Sequence, residues 1–529
     1  MENARRDNVV TPLRRKTETE AEPKTIELID IPEEELNWST VSLSEVIQRK
    51  GRLEASVYDI EGKHAREILK NCRWKIVNLW SSDGFVETAF YPTRFKRIYV
   101  DRQYGIPFFL PSQVNEIYPK PAKFISSKTT VDFEEIKVKR DTILLTRSGM
   151  VGECTIVSKT IEGKVYSDDV IRINLKNIND VGYVYAFLKL RIGKLLINTN
   201  NYGAVIDHIE PEHLENIPIP DPSPIIKHNI HELIMDSFRL RDESNSLIDE
   251  AERLLISELK LPPIDEIKPK YFDGKAASKN FSVKLSKVDN RIDASYHVPI
   301  VNAIISHLDK YAEEITTLAD CRISKEIILP GRFKRVYVEE GQGIVFFGGK
   351  QLLELDPSNK KYLSLTYHNN RIKKELTLKE NTILITRSGT IGKVNIAPKH
   401  WANWVVNEHI IRVIPADDSI AGYVYSWLSA DYGYELIKRF TYGAVVDEID
   451  DKHVSRIQIP LLKNKKIQEQ INTLVLEANK KRYEAYLLEQ KAIKMVNDKV
   501  IYLTEKHSRY KHNSGLLMAA EEFAQYNNS

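Results

Sequence analysis

The sequence predicts an α+β protein written twice: two similar mixed domains, each followed by a long α-helix, the two helices pairing as an antiparallel coiled coil about a pseudo-twofold axis. Three observations predict it. ILLTRSGMVG at 143–152 returns as ILITRSGTIG at 383–392. Around this pair a whole series of segments recurs in the same order. Each series then runs into a long segment with a heptad-like apolar stripe.

The elements follow in chain order. Residues 1–37, rich in charge and threonine and without an apolar run, read as a flexible N-terminal tail with no export signal. A first domain is expected over 38–222 and a second over 280–462. VSLSEV (41–46) is matched by VKLSKV (283–288), RLEAS (52–56) by RIDAS (291–295), RFKRIYV (94–100) by RFKRVYV (332–338), and YGIPFF (104–109) by QGIVFF (342–347). After the TRSG pair come GYVYAFL (182–188) and GYVYSWL (422–428), YGAVIDHI (202–209) and YGAVVDEI (442–449), and IPIP (217–220) and IQIP (457–460). The offset is 240 from TRSG onward and drifts between 238 and 242 before it, so insertions and deletions fall in loops. A unit this long, present twice, is a domain rather than a solenoid repeat.

Within a copy, RIYV, TILLT, ECTIV and DVIRINL are short, β-rich and bounded by turn residues, which predicts strands. GYVYAFLKLRIGKLLI and its counterpart GYVYSWLSADYGYELI read as helices. The prolines of IPIPDPSP close the first domain. Spacer helices are expected over 223–262 and 463–505, with a linker at 263–279 and a C-terminal tail at 506–529. In the first, positions 226, 230, 233, 237, 240, 244, 247, 251 and 254 hold Ile, Ile, Leu, Ser, Leu, Ser, Leu, Ala and Leu. In the second, positions 467, 471, 474, 478, 481, 485, 488, 492 and 495 hold Ile, Ile, Leu, Ala, Lys, Ala, Leu, Ala and Met. Each helix would run about 50 Å at ~1.5 Å per residue. Packing against each other satisfies both stripes; the alternative is that each helix covers its own domain.

Composition sets the outer bounds. The 42% of hydrophobic residues is enough for real cores, and the 29% of charged residues predicts a heavily charged surface. A net charge of +3 excludes a histone-like polycation but not a local basic groove. Cys72, Cys154 and Cys321 have neither CxxC spacing nor a nearby His cluster, so a disulfide framework or structural zinc is not expected. No run of 18 apolar residues occurs, and the expectation is a cytoplasmic protein.

The doubled plan resembles the specificity subunit of type I restriction–modification systems. The resemblance rests on DTILLTRSGMVGECTIV and NTILITRSGTIGKVNIA, each followed by a YGAV segment and an IPIP-like exit into a long helix. RLEASVYD and RIDASYHV resemble that family's domain entry, and the likeness covers about 38–505. It implies a protein without chemistry of its own. Each domain would be a target-recognition domain reading one half of a bipartite, asymmetric site in double-stranded DNA. The paired helices would space the domains and dock adenine-methyltransferase subunits, two in number, with a motor-nuclease subunit as a further partner. No cofactor is implied for this chain; S-adenosylmethionine would belong to the methyltransferase. Half-sites about one helical turn apart, ~34 Å, suit a pseudo-twofold protein.

Candidate DNA contacts are residues that recur. Arg94, Lys96 and Arg97, with Arg332, Lys334 and Arg335, form basic clusters suited to phosphate; a solvated turn is the plainer reading. Arg147, Ser148 and Gly149, with Arg387, Ser388 and Gly389, follow an apolar strand and could offer donors at a tight turn; a salt-bridged turn is the alternative. Tyr202 and Tyr442 could place an aromatic at DNA or simply pack. Base discrimination is expected where the copies differ, at 111–140 and 349–378, unless those loops have merely drifted apart.

Catalysis finds little support. There is no DPPY- or NPPF-type tetrapeptide, GxGxxG after a strand, P-loop or HExxH. His208 beside Asp207 faces Glu448 in the second copy, and Asp168–Asp169 faces Glu408–His409, so no histidine chemistry recurs in place. A nuclease with an unrecognised site and a coiled-coil assembly scaffold remain the competing classes.

Overall fold

The computed structural model describes residues 40–48, 51, 53, 55–121, 123–200, 207–271, 281–288, 291–443 and 446–502. Of the candidate site residues, Tyr202 lies outside the described residues, as do the two predicted tails.

The two domains share one architecture. In the first, a four-stranded antiparallel sheet runs Val86–Phe90, Val170–Leu175, Ile143–Thr146, Cys154–Ile156. A smaller sheet runs Lys123–Ser126, Gly105–Phe109, Val165–Tyr166, its last pair parallel. The second domain repeats the first sheet with Ser324–Ile328, Ile410–Pro415, Ile383–Thr386 and Val394–Ile396. Its smaller sheet repeats as Lys361–Ser364, Gly343–Phe347 and Val405–Val406, with Tyr337–Val338 added at the edge. Even register recurs: Ile143 faces Ile156 and Ile173, as Ile383 faces Ile396 and Val413. Each larger sheet has an irregularity at the same place, after Val86 and after Ser324. Lys75–Asn78 pairs with Pro218–Asp221, and Glu314–Thr317 with Gln458–Leu461. The proline-rich exits are thus strands of two-stranded ribbons, where a missing N–H is tolerated.

Two expectations need correction. RIYV in the first copy is irregular, touching the smaller sheet through a bridge of Tyr99 to Ile125 and isolated bonds such as Ser126 N to Ile98 O at 2.8 Å. GYVYAFLKLRIGKLLI is two helices, Val181–Lys189 and Arg191–Asn198, broken at Leu190 where ψ is 151°. Gly193 permits the sharp bend, because a Cβ there would meet Phe187 O at 2.2 Å. The second copy bends likewise at Ala430.

The long helices span Pro224–Glu258 and Lys465–Val496, the second continuing as a π-helical turn over Asn497–Ile501. They pair antiparallel. Ile230, Ile234 and Phe238 share the first domain's core with Ala492, Val496 and Val500, whereas Ile248, Ala251 and Leu255 share the second domain's core with Ile471, Val475 and Ala478. Both readings of the stripe therefore hold at once, since each helix packs on its partner and on both domains. The stripe itself shifts by one residue at alternate steps, burying Ile234, Ile248 and Leu255 rather than Leu233, Leu247 and Leu254. Ser237 and Ser244 are fully buried, and Ser237 Oγ donates to Ala485 O at 2.7 Å, so these small residues seat the partner closely. Gly182 and Gly422 do the same for the domains: a Cβ would lie 2.6 Å from His231 Cα and 2.4 Å from Asn472 O.

The segment read as a linker is partly structured. Ile264–Tyr271 is helical, and Ile264 and Ile267 join the second domain's core. Among the described residues no helix is long and apolar enough to cross a membrane.

Candidate nucleic-acid interface

In each domain the TRSG turn meets the segment that follows YGAV, and in the second domain RFKR joins them. In the first, the strand Ile143–Thr146 ends at Arg147, whose side chain is 7% exposed. Its guanidinium donates to Glu210 at 2.5 Å and Asp169 at 3.3 Å and lies 4.4 Å from the Tyr91 ring centroid. Arg147 N donates to Asp169 O, and Ile209 N to Arg147 O. Ser148 Oγ donates to Asp169 at 3.0 Å and contacts His208 Nδ1 at 2.8 Å. Gly149, with φ 77°, donates to Asp207 O, is exposed, and has open space where a Cβ would stand. The TRSG turn is thereby tied to the segment after YGAV.

The second domain builds the same cluster with different partners. Arg387 donates to Glu448 at 2.8 Å and to Ile449 O at 3.0 Å. Ser388 Oγ contacts His409 Nδ1 at 2.7 Å. Arg332, 74% exposed, reaches the same Glu448 at 3.6 Å, which draws RFKR into the cluster. Tyr442 exchanges backbone bonds with Glu448, and its ring lies 5.2 Å from that of His453. Gly389 repeats Gly149, with φ 75° and open space above it.

The basic segments divide internally. Arg97 is paired to the buried Asp168 and donates to Ser167 Oγ at 3.2 Å, while Arg335 is paired to the buried Glu408 at 2.5 Å. Burial opposes both charges, but the facing carboxylates hold both guanidinium groups above their ordinary value. Arg94, Lys96, Arg332 and Lys334 are the exposed members. Arg94 also lines an open cleft of about 470 Å³ with Phe90, Tyr91, Pro211 and Glu212. Arg97, Arg147, Arg335 and Arg387 are therefore each paired with a carboxylate of their own domain, whereas Arg94, Lys96 and Lys334 stand exposed beside them.

Two sets of residues escape sequence reasoning. Tyr99 and Tyr337, both exposed, lie beneath Lys123 and Lys361 at 4.4 and 4.8 Å. This Tyr–Lys pair recurs at an offset of 238 on the smaller sheet; the RIYV/RVYV repetition carries the signal, but a strand reading gives no reason to single out its tyrosine. Arg172 and Arg412 are buried at equivalent positions and donate to carbonyls, Arg172 to Ser167 O and Arg412 to Val406 O. Burial pushes both down to about 10.

The divergent segments are also split in role. Residues 111–118 and 351–356 meet each other between the domains: Ile117 N donates to Leu353 O at 3.0 Å, and Glu116 forms a backbone β-bridge with Glu354. Val114 and Leu352 anchor the loops in the apolar clusters of their own domains. This part of the expected base-reading loops is an inter-domain junction, because equivalent loops near a twofold axis face one another.

The family model for the type I restriction modification DNA specificity domain matches residues 93–252 and again 340–502, together more than half of the chain. Among solved structures, the chain is similar to the S subunit of a type I restriction-modification system from M. genitalium, at 15% identity over 85% of this chain and 95% of that one, with a TM-score of 0.28. It is similar also to the HsdS subunit from Thermoanaerobacter tengcongensis, at 12% identity over 80% of this chain and 95% of that one, with a TM-score of 0.25. No curated protein sequence matches. The chain belongs to the family of type I restriction modification DNA specificity domains, of which it carries two copies.

Proposed function

We propose that this DNA-recognition subunit reads a bipartite, asymmetric duplex site, one half-site per domain, and docks two adenine-methyltransferase subunits without catalysing a reaction itself. Domain limits of 38–222 and 280–462 fit this division. The observation that carries the reading is the equivalent motif cluster on two domains related by an antiparallel helix pair. Such an object meets a duplex at two places about one turn apart, ~34 Å.

Within each domain, Arg94 and Lys96, or Arg332 and Lys334, take phosphates. Gly149 and Gly389, with Ser148 and Ser388, allow close backbone approach at the turn. Tyr99 and Tyr337, amphipathic and held by Lys123 and Lys361, stand at the same sheet for contact with sugar or base. Arg97, Arg147, Arg335 and Arg387 position these groups. Tyr442 braces its loop, and Tyr202 is its counterpart in sequence. The complex is cytoplasmic, with S-adenosylmethionine on the methyltransferase and a motor-nuclease subunit as a further partner.

The test is a hydroxyl-radical footprint of the chain with its cognate methyltransferase on a methylated target. Two protected patches about one turn apart, with a less protected gap, are expected. A single continuous patch would contradict the reading.

A further inference from the structure

We propose that the direct contact between the two domains, centred on Glu116–Ile117 and Leu353–Glu354, fixes the number of base pairs between the half-sites. The inference rests on the bipartite reading above. One base pair more or less moves a half-site by about 3.4 Å and rotates it by about 35°, since roughly ten pairs make a turn of ~34 Å. Two domains joined only by long helices could absorb part of that change by bending, because such helices curve gently. A junction riveted by backbone and ionic contacts has discrete packing and resists it.

The rivets are specific. Glu116 and Glu354 are equivalent positions at an offset of 238, and they face each other, so the pseudo-twofold axis passes between them. Ile117 N donates to Leu353 O at 3.0 Å, and Ile117 O accepts from Asn245 Nδ2, in the middle of the first long helix, at 2.8 Å. From the second long helix Gln490 Nε2 donates to Asp356 at 3.3 Å. At the rim, Lys120 Nζ donates to Ser429 O at 2.9 Å and Arg102 pairs with Asp431. Both loops are therefore fastened to each other and to the helix pair.

Two carboxylates facing their own copies would repel if their partners were also alike. The chain answers with unlike partners. Lys393 reaches Glu116 at 3.1 Å, whereas Glu354 accepts from Ser358 N at 2.6 Å. The position equivalent to Lys393 is Glu153, which turns instead to Lys194 at 2.8 Å and Asn115 at 2.8 Å. The junction is thus asymmetric in its ionic partners while its backbone contacts join equivalent loops.

The test is a map of adenine methylation by the full chain with its methyltransferase in a host lacking other adenine methylation. Wild type should methylate one split sequence at a single gap length. Lys393→Glu should add a class of sites with the same two half-sequences and a gap one base pair longer or shorter. Glu116→Lys combined with Lys393→Glu should return the map to the single length. Arg102→Ala with Lys120→Ala loosens only the exposed rim, leaves the core intact and should give the same spread, more weakly. A single unchanged gap length in both the Lys393→Glu and the rim variants, even with a lowered melting temperature, would overturn the proposal. A wild-type map without any split sequence would overturn the bipartite reading as well; gap-length results alone bear only on the junction.

Discussion

The same serine in the two copies keeps different company. Ser148 lies between Asp169 and His208; Ser388 contacts His409, which occupies the place of Asp169, while Glu448 occupies the place of His208. Acid and imidazole have exchanged sides. In each copy the arginine of TRSG still finds a carboxylate, Asp169 and Glu210 in the first and Glu448 in the second. A second exchange lies along the long helices. Asn245 donates to Thr160 at 3.1 Å, and at the equivalent positions Tyr486 stacks on His400 with centroids 3.9 Å apart. Burial pushes His400 down to about 4, so that ring is a neutral packing element. The two clusters therefore keep equivalent contacts by compensation between positions.

The largest effect should come where the copies are least alike. Arg241 pairs with the buried Glu489 at 2.7 Å, and Glu489 also accepts from Tyr185 at 2.5 Å, whereas the counterpart of Glu489 in the first helix is Ile248. Arg241→Met removes the hydrogen-bonded cation from a buried carboxylate, leaving it only the charge of Lys189, and should cost about 3 kcal/mol in urea unfolding. Next come the matched glycines. Gly182→Ala and Gly422→Ala should each cost roughly 1–3 kcal/mol by overpacking against the long helices, similarly in both domains.

Glu354 is the more deeply buried of the two facing carboxylates. Burial pushes its carboxyl up to about 7, and nearby Glu153 adds to the effect. A raised folded value favours the protonated form, so its contribution to stability is complete below the ordinary carboxyl value of about 4.5 and is lost as pH rises through 7. Glu354→Gln should therefore gain on wild type between pH 5 and pH 8, by on the order of 1–3 kcal/mol in thermal melts. The exchange at the serine predicts a coupled pair: Asp169→His and His208→Glu should each destabilise by about 1 kcal/mol, and the double variant should recover most of it. Smallest in stability are Arg94→Ala and Lys334→Ala, expected within about ±0.5 kcal/mol. Each should instead lower the salt slope of duplex binding by about 0.9 for every phosphate the side chain would have neutralised.

Recurrence makes the architecture legible. Motif order, the helix stripe and the exit strands are all written twice, and two noisy signals in register outweigh either one. Roles within the motifs are not legible. Arg94 and Arg97 look alike in sequence, and only the structure shows that Arg97 is paired with Asp168, some seventy residues on, while Arg94 is exposed. The mismatches at 169/409 and 208/448 look like two unrelated failures because their compensation is spatial. The junction is hidden for a related reason: the contact between 111–118 and 351–356 is spatial, and sequence shows only that the two segments differ.

The most direct test of the central claim, that two frames read two different half-sites, is the adenine-methylation map of the wild-type complex. One split sequence with unlike halves, methylated on both strands, is the expected result. A palindromic or uninterrupted sequence would contradict it, because the two domains would then be reading alike or as one.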